Sequence, residues 1–234
     1  MIPVSKPYIG DLELSYVSDA VKTGWVSSAG PYLKKFEQEF AAYHDVKHCI
    51  ALSNGTAALE VALHSVGVKS GDEVIIPSFT IMSVALAVIR VGATPVVVDV
   101  DKHTWNISAD LVAPALSEKV SALIVVHGFG TPAEMKPLIE IARQNNLKII
   151  EDVAESTGSR YEGDLCGTLG DIASFSFYAN KLITTGEGGC IIANDDAIAE
   201  RARKYINLYF GTKERFSHEG IGFNFRMTNM QAAL

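Results

Sequence analysis

The chain is poor in cysteine, in basic residues relative to acidic ones, and in long uncharged apolar runs. Its 234 residues include three cysteines, Cys49, Cys166 and Cys190, which are widely spaced and form neither a CxxC pair nor a Cys/His cluster. This spacing argues against a disulfide framework and against a metal site of the zinc type, and it favours a reducing compartment.

Charge and hydropathy exclude two further classes of protein. Asp and Glu (27) outnumber Lys and Arg (20), which leaves a net charge of −7, and nucleic-acid binders usually carry a basic surface instead. No uncharged apolar run approaches the ~18 residues that span a bilayer, and the start, MIPVSKPYIGDLE, has no apolar signal-peptide core. We therefore expect a cytoplasmic protein that binds neither nucleic acid nor membrane.

Short β-rich runs alternate with helical periodicity along the chain, and such alternation predicts an α/β fold with a mostly parallel sheet flanked by helices. Several of the predicted strands are apolar nearly throughout, as in a sheet buried on both faces. Ligands bind at the carboxyl edge of such sheets. The seven predicted strands are 48–52, 73–77, 94–100, 121–126, 147–153, 173–177 and 189–194, and the helical stretches between them are 56–67, 82–92, 132–146 and 196–207.

The two ends of the chain differ from this alternating pattern. Residues 11–24 and 31–44 predict two helices in an N-terminal segment of about 1–45. Residues 226–234 predict the opening of an amphipathic helix, and natural domains rarely end inside a helix without a stop signal. We therefore expect the sequence to belong to a longer protein.

The segment SNGTAAL (53–59) follows the first predicted strand and opens a helix. Backbone N–H groups at a helix N-terminus, with a glycine that permits close approach, suit a phosphate group. The alternative is an ordinary strand–helix turn in which Ser53 or Asn54 caps the helix.

The segment IIEDVAE (149–155) ends an apolar strand in two carboxylates. Asp152 should lie at the carboxyl edge of the sheet, and strand alternation places Glu151 on the opposite face. A carboxylate at this edge could pair with a cationic ligand atom, bind a metal or cap the next helix.

The segment SFSFYANKLITTGEGG (174–189) holds one lysine, Lys181, between an aromatic run and a glycine-rich turn. Limited access to water favours the neutral amine and makes it a usable nucleophile. The alternative is a surface lysine in a hairpin turn.

Together these segments supply what pyridoxal phosphate (PLP) requires of a protein. The cofactor needs a Schiff-base lysine, a carboxylate on the pyridine nitrogen, a phosphate cradle and a group packed on the ring face. The chain offers a cradle at 53–57, an apolar loop at 77–81, Asp152 and Lys181, with the hydroxyl of Ser176 as a further phosphate ligand.

Seven motifs in order carry a family resemblance: GWVSSAGPYLKKFEQEFA (24–41), SNGTAALEVAL (53–63), GDEVIIPSFT (71–80), GATPVVVDVD (92–101), IIEDVAESTGSRY (149–161), GTLGDIASFSFYANKLITTGEGG (167–189) and IGFNFRMTNMQAA (221–233). In these motifs the chain resembles the DegT/StrS-type sugar aminotransferases, which are fold-type I PLP enzymes. Within that family, residues 174–189 and 223–229 are most similar to the perosamine-synthase branch.

The resemblance implies a role for each matching residue. Lys181 would form the Schiff base and carry the proton during transamination, and Asp152 would pair with the pyridinium nitrogen. Gly55 and Thr56, with Ala57 nearby, would hold the phosphate through backbone N–H groups and a hydroxyl.

Further residues are assigned by the same resemblance. Ser176 would also reach the phosphate, and Asn224 would reach the phosphate of a neighbouring subunit, because active sites in this family lie at the interface of an obligate homodimer. Ser27 and Ser28 would lie near the substrate. His127 would also lie near the substrate. The alternative is that His127 is a core histidine whose hydrogen bonds are satisfied inside the protein.

The sequence departs from the family pattern at two places. Many relatives carry an aromatic residue that stacks on the cofactor where this chain has Ile81, so either Ile81 or Phe79 would pack on the ring. Glu155 stands where many relatives have Gln or His. A glutamate beside the phenolate oxygen of the cofactor should be protonated or bonded to a donor, because two anions repel.

The function implied is amination of a nucleotide-linked keto sugar, GDP-4-keto-6-deoxymannose to GDP-perosamine, with glutamate as the amino donor. A PLP lyase or dehydratase is an alternative, but sugar dehydratases of the family replace the lysine with histidine and this chain keeps Lys181. A truncated, non-catalytic paralogue is another. Relatives continue into a smaller C-terminal domain, so we expect residues 1–234 to form the PLP-binding large domain and the small domain to be missing or truncated.

Overall fold

The computed structural model describes residues 5–211 and 216–234, and within these ranges it contains eight α-helices and nine β-strands. None of the helices in the described ranges has the length and apolar character needed to cross a bilayer. The helices are α1 (Asp11–Thr23), α2 (Pro31–Tyr43), α3 (Gly55–Val66), α4 (Met82–Arg90), α5 (Ala109–Val112), α6 (Met135–Gln144), α7 (Asp196–Tyr205) and α8 (Asn229–Ala233). The strands are β1 (His48–Leu52), β2 (Glu73–Pro77), β3 (Thr94–Val98), β4 (Val120–Val126), β5 (Lys148–Asp152), β6 (Arg160–Tyr161), β7 (Asp164–Leu165), β8 (Ile172–Ser176) and β9 (Gly189–Ala193).

Seven strands form one sheet in the order β1-β9-β8-β5-β4-β2-β3. The pairs β2–β3, β2–β4, β4–β5 and β5–β8 are parallel, whereas β1 and β9 are antiparallel. The short strands β6 and β7 pair with each other as a separate antiparallel ribbon. The predicted α/β fold with a mostly parallel seven-stranded sheet is confirmed.

All seven predicted strands are present; β1 and β2 match the prediction at both ends, and the ends of the other five differ from it by at most two residues. The largest difference is in β3, predicted to end at residue 100, which ends at Val98. The side chain of Asp99 accepts a hydrogen bond from the N–H of Val100 at 2.8 Å, so the backbone turns away from the ladder there. The ribbon β6–β7 was not predicted, because two-residue strands carry no periodicity to detect.

The predicted terminal helices are also confirmed. Helices α1 and α2 cover the two predicted N-terminal stretches, and α8 begins inside the predicted 226–234 segment. Its start is set by a capping box, in which Thr228 Oγ1 accepts the N–H of Gln231 at 3.2 Å and Gln231 Oε1 accepts the N–H of Thr228 at 2.9 Å.

The chain divides into two compact units, of which the first combines Met1–Ala58 with Ser176–Leu234. In this unit α2 packs on β1, and Glu37 Oε1 accepts the N–H of Ala51 at 2.9 Å. The core contains the buried residues Ile50, Leu52, Phe177 and Ile191.

The second unit is Leu59–Phe175. Its core is formed by side chains of the parallel strands and of α6, which has a strongly one-sided apolar face. Central members include Ile75, Leu123, Val125, Met135 and Leu138. Burial on both faces explains why β2, β4 and β5 are nearly continuous apolar runs.

Candidate functional site

In the first unit, the start of α3 lies directly against the end of β8. A Cβ atom added to Gly55 would lie 2.7 Å from Ser176 Cβ and 3.0 Å from Ser176 Oγ. Real Cβ atoms do not approach that closely, so only glycine allows the helix N-terminus to meet the serine hydroxyl here. The first N–H groups of a helix have no acceptor within the helix, and an anion bound there would also meet the hydroxyl.

The helix-capping alternative holds at the same turn. Asn54 Oδ1 accepts the N–H of Ala57 at 2.8 Å, which is a normal N-cap contact. The cap occupies the N–H of Ala57, while Gly55 and Thr56 precede it in the first turn. The structure therefore combines a capped helix with a glycine-lined approach to Ser176.

The segment that contains Asn224 runs beside the entrance to α3. The N–H of Ser53 donates to the carbonyl of Phe225 at 2.8 Å, and Asn224 forms an isolated antiparallel bridge with Asn207. Asn224 itself is exposed, so its side chain is available to a partner from outside the chain.

Lys181 lies in a loop that Phe177 closes. The N–H of Phe177 donates to the carbonyl of Gly188 at 2.9 Å, and its own carbonyl accepts the N–H of Thr185 at 3.0 Å. Inside the loop, the N–H of Lys181 donates to the carbonyl of Tyr178 at 2.9 Å. Lys181 is partly buried, so it is neither a core lysine nor a fully solvated one.

Two aromatic contacts fix the base of this loop. Phe177 is buried and meets the rings of Phe36 and Phe40 from α2 edge-on, with centroids 5.5 and 5.6 Å apart. A Cβ on Gly188 would overlap Thr185 Oγ1, so a larger residue there would have to displace the Thr185 side chain. The aromatic run and the last glycines thus hold the ends of the lysine loop.

Ser27 and Ser28 lie in the exposed loop between α1 and α2. The buried Asn229 holds this loop in place, since its Nδ2 donates to the carbonyl of Trp25 at 2.7 Å and its Oδ1 accepts the N–H of Tyr32 at 2.9 Å. The N–H of Asn229 also donates to the carbonyl of Ser27 at 2.6 Å. Two solvent-facing hydroxyls on a rigidly held loop suit a polar ligand.

In the second unit, Asp152 ends β5 at its carboxyl end, where the sequence placed it. It is 4% exposed, and its Oδ1 accepts the N–H of Ala154 at 3.1 Å. Its carbonyl accepts the N–H of His127 at 3.2 Å. A carboxylate this buried loses hydration, so a cationic ligand atom would stabilise it strongly.

Glu155 and the aromatic residues near it form an exposed group in the same unit. Glu155 Oε2 accepts the N–H of Phe129 at 3.1 Å, so this carboxylate is bonded to a donor. Phe79 is 39% exposed and meets Trp105 at right angles, with centroids 4.8 Å apart. Ile81, the residue before α4, is 66% exposed. Both candidates for the ring face therefore present apolar surface to solvent.

Sequence reasoning missed two members of this group, Trp105 and Phe129. Both have left-handed backbone, with φ of 61° and 49°, which is uncommon for bulky residues and marks sites held in place by their surroundings. No sequence signal reports such a conformation, because it is imposed by contacts such as the one from Glu155.

His127 is fully buried in the second unit, and both of its ring nitrogens are engaged. Its Nδ1 accepts the N–H of Ala133 at 3.0 Å, so Nε2 carries the proton and donates to Glu151 Oε2 at 3.0 Å. This geometry favours the core-histidine alternative over contact with a substrate.

Comparison with known proteins places the chain in a family. Residues 7–234 match the model of the DegT/DnrJ/EryC1/StrS aminotransferase family, and the chain belongs to that family. It is 44% identical over 233 residues to the GDP-perosamine synthase of Caulobacter vibrioides and 41% identical over 233 residues to that of Escherichia coli O157:H7. These matches cover 100% of this chain but 63% and 64% of the two relatives, so the chain spans less than two thirds of their length.

A solved structure agrees with the family assignment. The PLP form of Spr1654, a putative sugar aminotransferase from Streptococcus pneumoniae, superposes with a TM-score of 0.92 at 29% identity, over 99% of this chain and 64% of that one. The family and this neighbour identify pyridoxal phosphate as the cofactor. The residues present fit it, because Gly55 leaves the space that a Cβ would fill beside Ser176 and Asp152 is a buried carboxylate at a strand end.

Proposed function

We propose that this chain is the PLP-binding large domain of an aminotransferase that converts a nucleotide-linked keto sugar to an amino sugar. The observation that carries the proposal is the close approach of Gly55 to Ser176. It supports the proposal because a helix N-terminus beside a hydroxyl would suit a phosphate group. Lys181 follows Ser176 by five residues (181 − 176) in a loop whose ends are fixed.

Three groups of residues would hold the cofactor. The N-terminal turn at Gly55 and Thr56 and the hydroxyl of Ser176 would bind the phosphate. Asp152 would accept a charge-assisted hydrogen bond from the pyridinium nitrogen. Lys181 would attach the cofactor through its amine.

When bound, PLP supplies an aldehyde that condenses with amines and a ring that accepts the electron pair of a broken Cα–H bond. The Lys181 amine would take the proton from Cα of the amino donor as a general base, and as a general acid it would then give the proton to the cofactor carbon that bears the nitrogen. Asp152 would keep the pyridine nitrogen protonated, because its buried charge is stabilised by that proton. Glu155, already bonded to the N–H of Phe129, would lie beside the cofactor without adding an uncompensated negative charge.

We further propose GDP-4-keto-6-deoxymannose as the sugar substrate, GDP-perosamine as the product and glutamate as the amino donor. The similarity to two GDP-perosamine synthases supports this choice. Ser27 and Ser28, exposed on a loop that Asn229 holds, would contact the substrate. Asn224 would reach the phosphate site of a second subunit in a homodimer.

The test of the proposal is spectroscopic and chemical. Purified protein mixed with PLP should gain a visible absorption band, and Lys181→Ala should lose this band while keeping weak cofactor binding. Lys181→Arg, which keeps the positive charge, should lose the band as well, because the guanidinium does not condense with the aldehyde. A Lys181→Ala protein with an unchanged spectrum would refute the assignment.

The substrate is tested by incubating the protein with glutamate and a panel of nucleotide-linked keto sugars. Amination of GDP-4-keto-6-deoxymannose should be seen by mass spectrometry as an amino sugar, formed in equal amount with 2-oxoglutarate. Loss of water from the sugar without an amine product would instead indicate a dehydratase.

A further inference from the structure

Within the residues that the structure describes, a buried carboxylate beside Asp152 is held by four hydrogen-bond donors, three of them backbone N–H groups. Glu151 is 0% exposed. Its Oε2 accepts from His127 Nε2 at 3.0 Å and the N–H of Gly167 at 2.8 Å, and its Oε1 accepts the N–H groups of Leu169 at 2.8 Å and Gly170 at 2.6 Å. Four donors match the lone pairs of an ionised carboxylate.

The histidine in this cluster is fixed in one tautomer. Because Nδ1 accepts the N–H of Ala133, the imidazole is neutral and can only donate from Nε2. In the described part of the chain, the hydrogen bonds that reach the Glu151 carboxylate therefore come from neutral N–H groups. A well-packed apolar pair is often at least as stable as a buried charged group, so stability by itself is a weak reason for this arrangement.

The place of the cluster in the fold suggests another reason for a buried carboxylate at Glu151. Glu151 precedes Asp152 on β5, and their side chains point to opposite faces of the strand. His127 contacts both residues, since its side chain donates to Glu151 and its backbone N–H donates to the carbonyl of Asp152. Any rotation of the backbone at Asp152 would strain the bonds on the other face.

We propose that Glu151 and His127 are positioning residues that fix the orientation of Asp152 toward the cofactor's pyridinium nitrogen. The proposal rests on the proposed function, in which Asp152 makes that contact. Glu151 and His127 touch neither cofactor nor substrate, and they act through the backbone at the end of β5.

A double-mutant cycle on PLP affinity tests this role. In Glu151→Gln the new NH₂ group faces two N–H donors whichever way the amide is turned, so the cluster breaks. We expect PLP to bind about tenfold more weakly, a coupling of the size found between interacting residues. In the Asp152→Asn background the same Glu151→Gln change should have no further effect on PLP affinity, since the group it positions is gone.

Asp171→Asn is the matched control. Asp171 connects the same 167–171 loop to the other end of β5, with Oδ2 accepting the N–H of Ile149 at 2.9 Å and Oδ1 paired with Lys148 at 2.7 Å. We expect this variant to lose stability in urea unfolding, as Glu151→Gln does, but to keep PLP affinity within about twofold.

A milder variant covers the case in which Glu151→Gln does not fold. In His127→Asn the amide oxygen can take the place of Nδ1 and accept the N–H of Ala133, but the side chain is too short to reach Glu151. It should weaken PLP binding severalfold in the parent and not in the Asp152→Asn background.

Two results would overturn the proposal in different ways. An equal loss of PLP affinity in both backgrounds would show that the cluster supports the fold only. An Asp152→Asn protein that binds PLP as well as the parent does would remove the residue being positioned, and this outcome would identify the proposed cofactor contact of Asp152 as the error.

Discussion

The contact between Gly55 and Ser176 predicts that adding a single methyl group at Gly55, in the proposed phosphate cradle, is harmful. In Gly55→Ala the new Cβ would lie 2.7 Å from Ser176 Cβ and 3.3 Å from Ser176 Cα. Because these Ser176 atoms lie in or next to the backbone, rotation of a side chain does not remove the clash. The start of α3 and the end of β8 would have to move apart.

The magnitude follows from two opposing effects. Overpacking of a well-packed site costs about 1–3 kcal/mol. Replacing glycine by alanine in a helix interior gains up to about 1 kcal/mol, and the gain is smaller here because Gly55 is the first residue of α3. We expect the free energy of unfolding of the cofactor-free protein to fall by about 1–2 kcal/mol.

The assay is urea unfolding, combined with titration of PLP and of pyridoxal, which lacks the phosphate. Gly55→Ala should weaken PLP binding while leaving pyridoxal binding nearly unchanged. The double variant Gly55→Ala/Ser176→Gly removes the clashing Cβ and should be more stable than the sum of the two single changes predicts. Additive stabilities, or equal losses for PLP and pyridoxal, would refute the reasoning.

Three further predictions concern stability and reactivity in the rest of the chain. Burial lowers the pKa of His44 below its ordinary 6.5, so the unfolded state binds the proton more readily and stability should fall as the pH drops through 6.5. Urea unfolding between pH 5 and 7.5 should therefore show a free energy of unfolding that rises with pH, and His44→Gln should reduce this slope. Burial raises the pKa of the Cys166 thiol to about 12, so it should resist alkylation at pH 8 until the protein unfolds, as mass spectrometry would show. Glu37→Ala should lower the free energy of unfolding by about 1–2 kcal/mol, because the carboxylate accepts hydrogen bonds from a backbone N–H of β1 and from the guanidinium of Arg203, the latter at 3.1 Å. Glu37→Gln should lose less stability, and equal losses in the two variants would contradict this.

The sheet and its helices were predictable because their signals are local. Apolar runs of five to seven residues bounded by turn residues correspond to β2, β4 and β5, and the runs differ from the observed strands by a residue at most. The order of strands in the sheet was not predictable, since the antiparallel pairing of β1 with β9 joins segments far apart in the sequence.

The candidate site shows the same division. Lys181, Asp152 and the turn at Gly55 were found from residue types beside strand ends and from the family resemblance. The role of His127 was left open by the sequence, and the structure favours a core histidine bonded to Glu151. The four donors around Glu151 were not predicted, because three of them are backbone groups whose direction no side-chain pattern reports.

The sequence by itself determined the class of fold and the family, because periodicity and motif order are written along the chain, and it supplied the candidate residues for the chemistry. Only the tertiary structure decided that Gly55 lies against Ser176, that Phe177 closes the lysine loop, and that Glu151 lies in a shell of N–H donors next to Asp152. Those facts depend on distances of about 3 Å between residues that are not neighbours in sequence, and such distances are set by the packing of the folded chain rather than by the pattern of residue types.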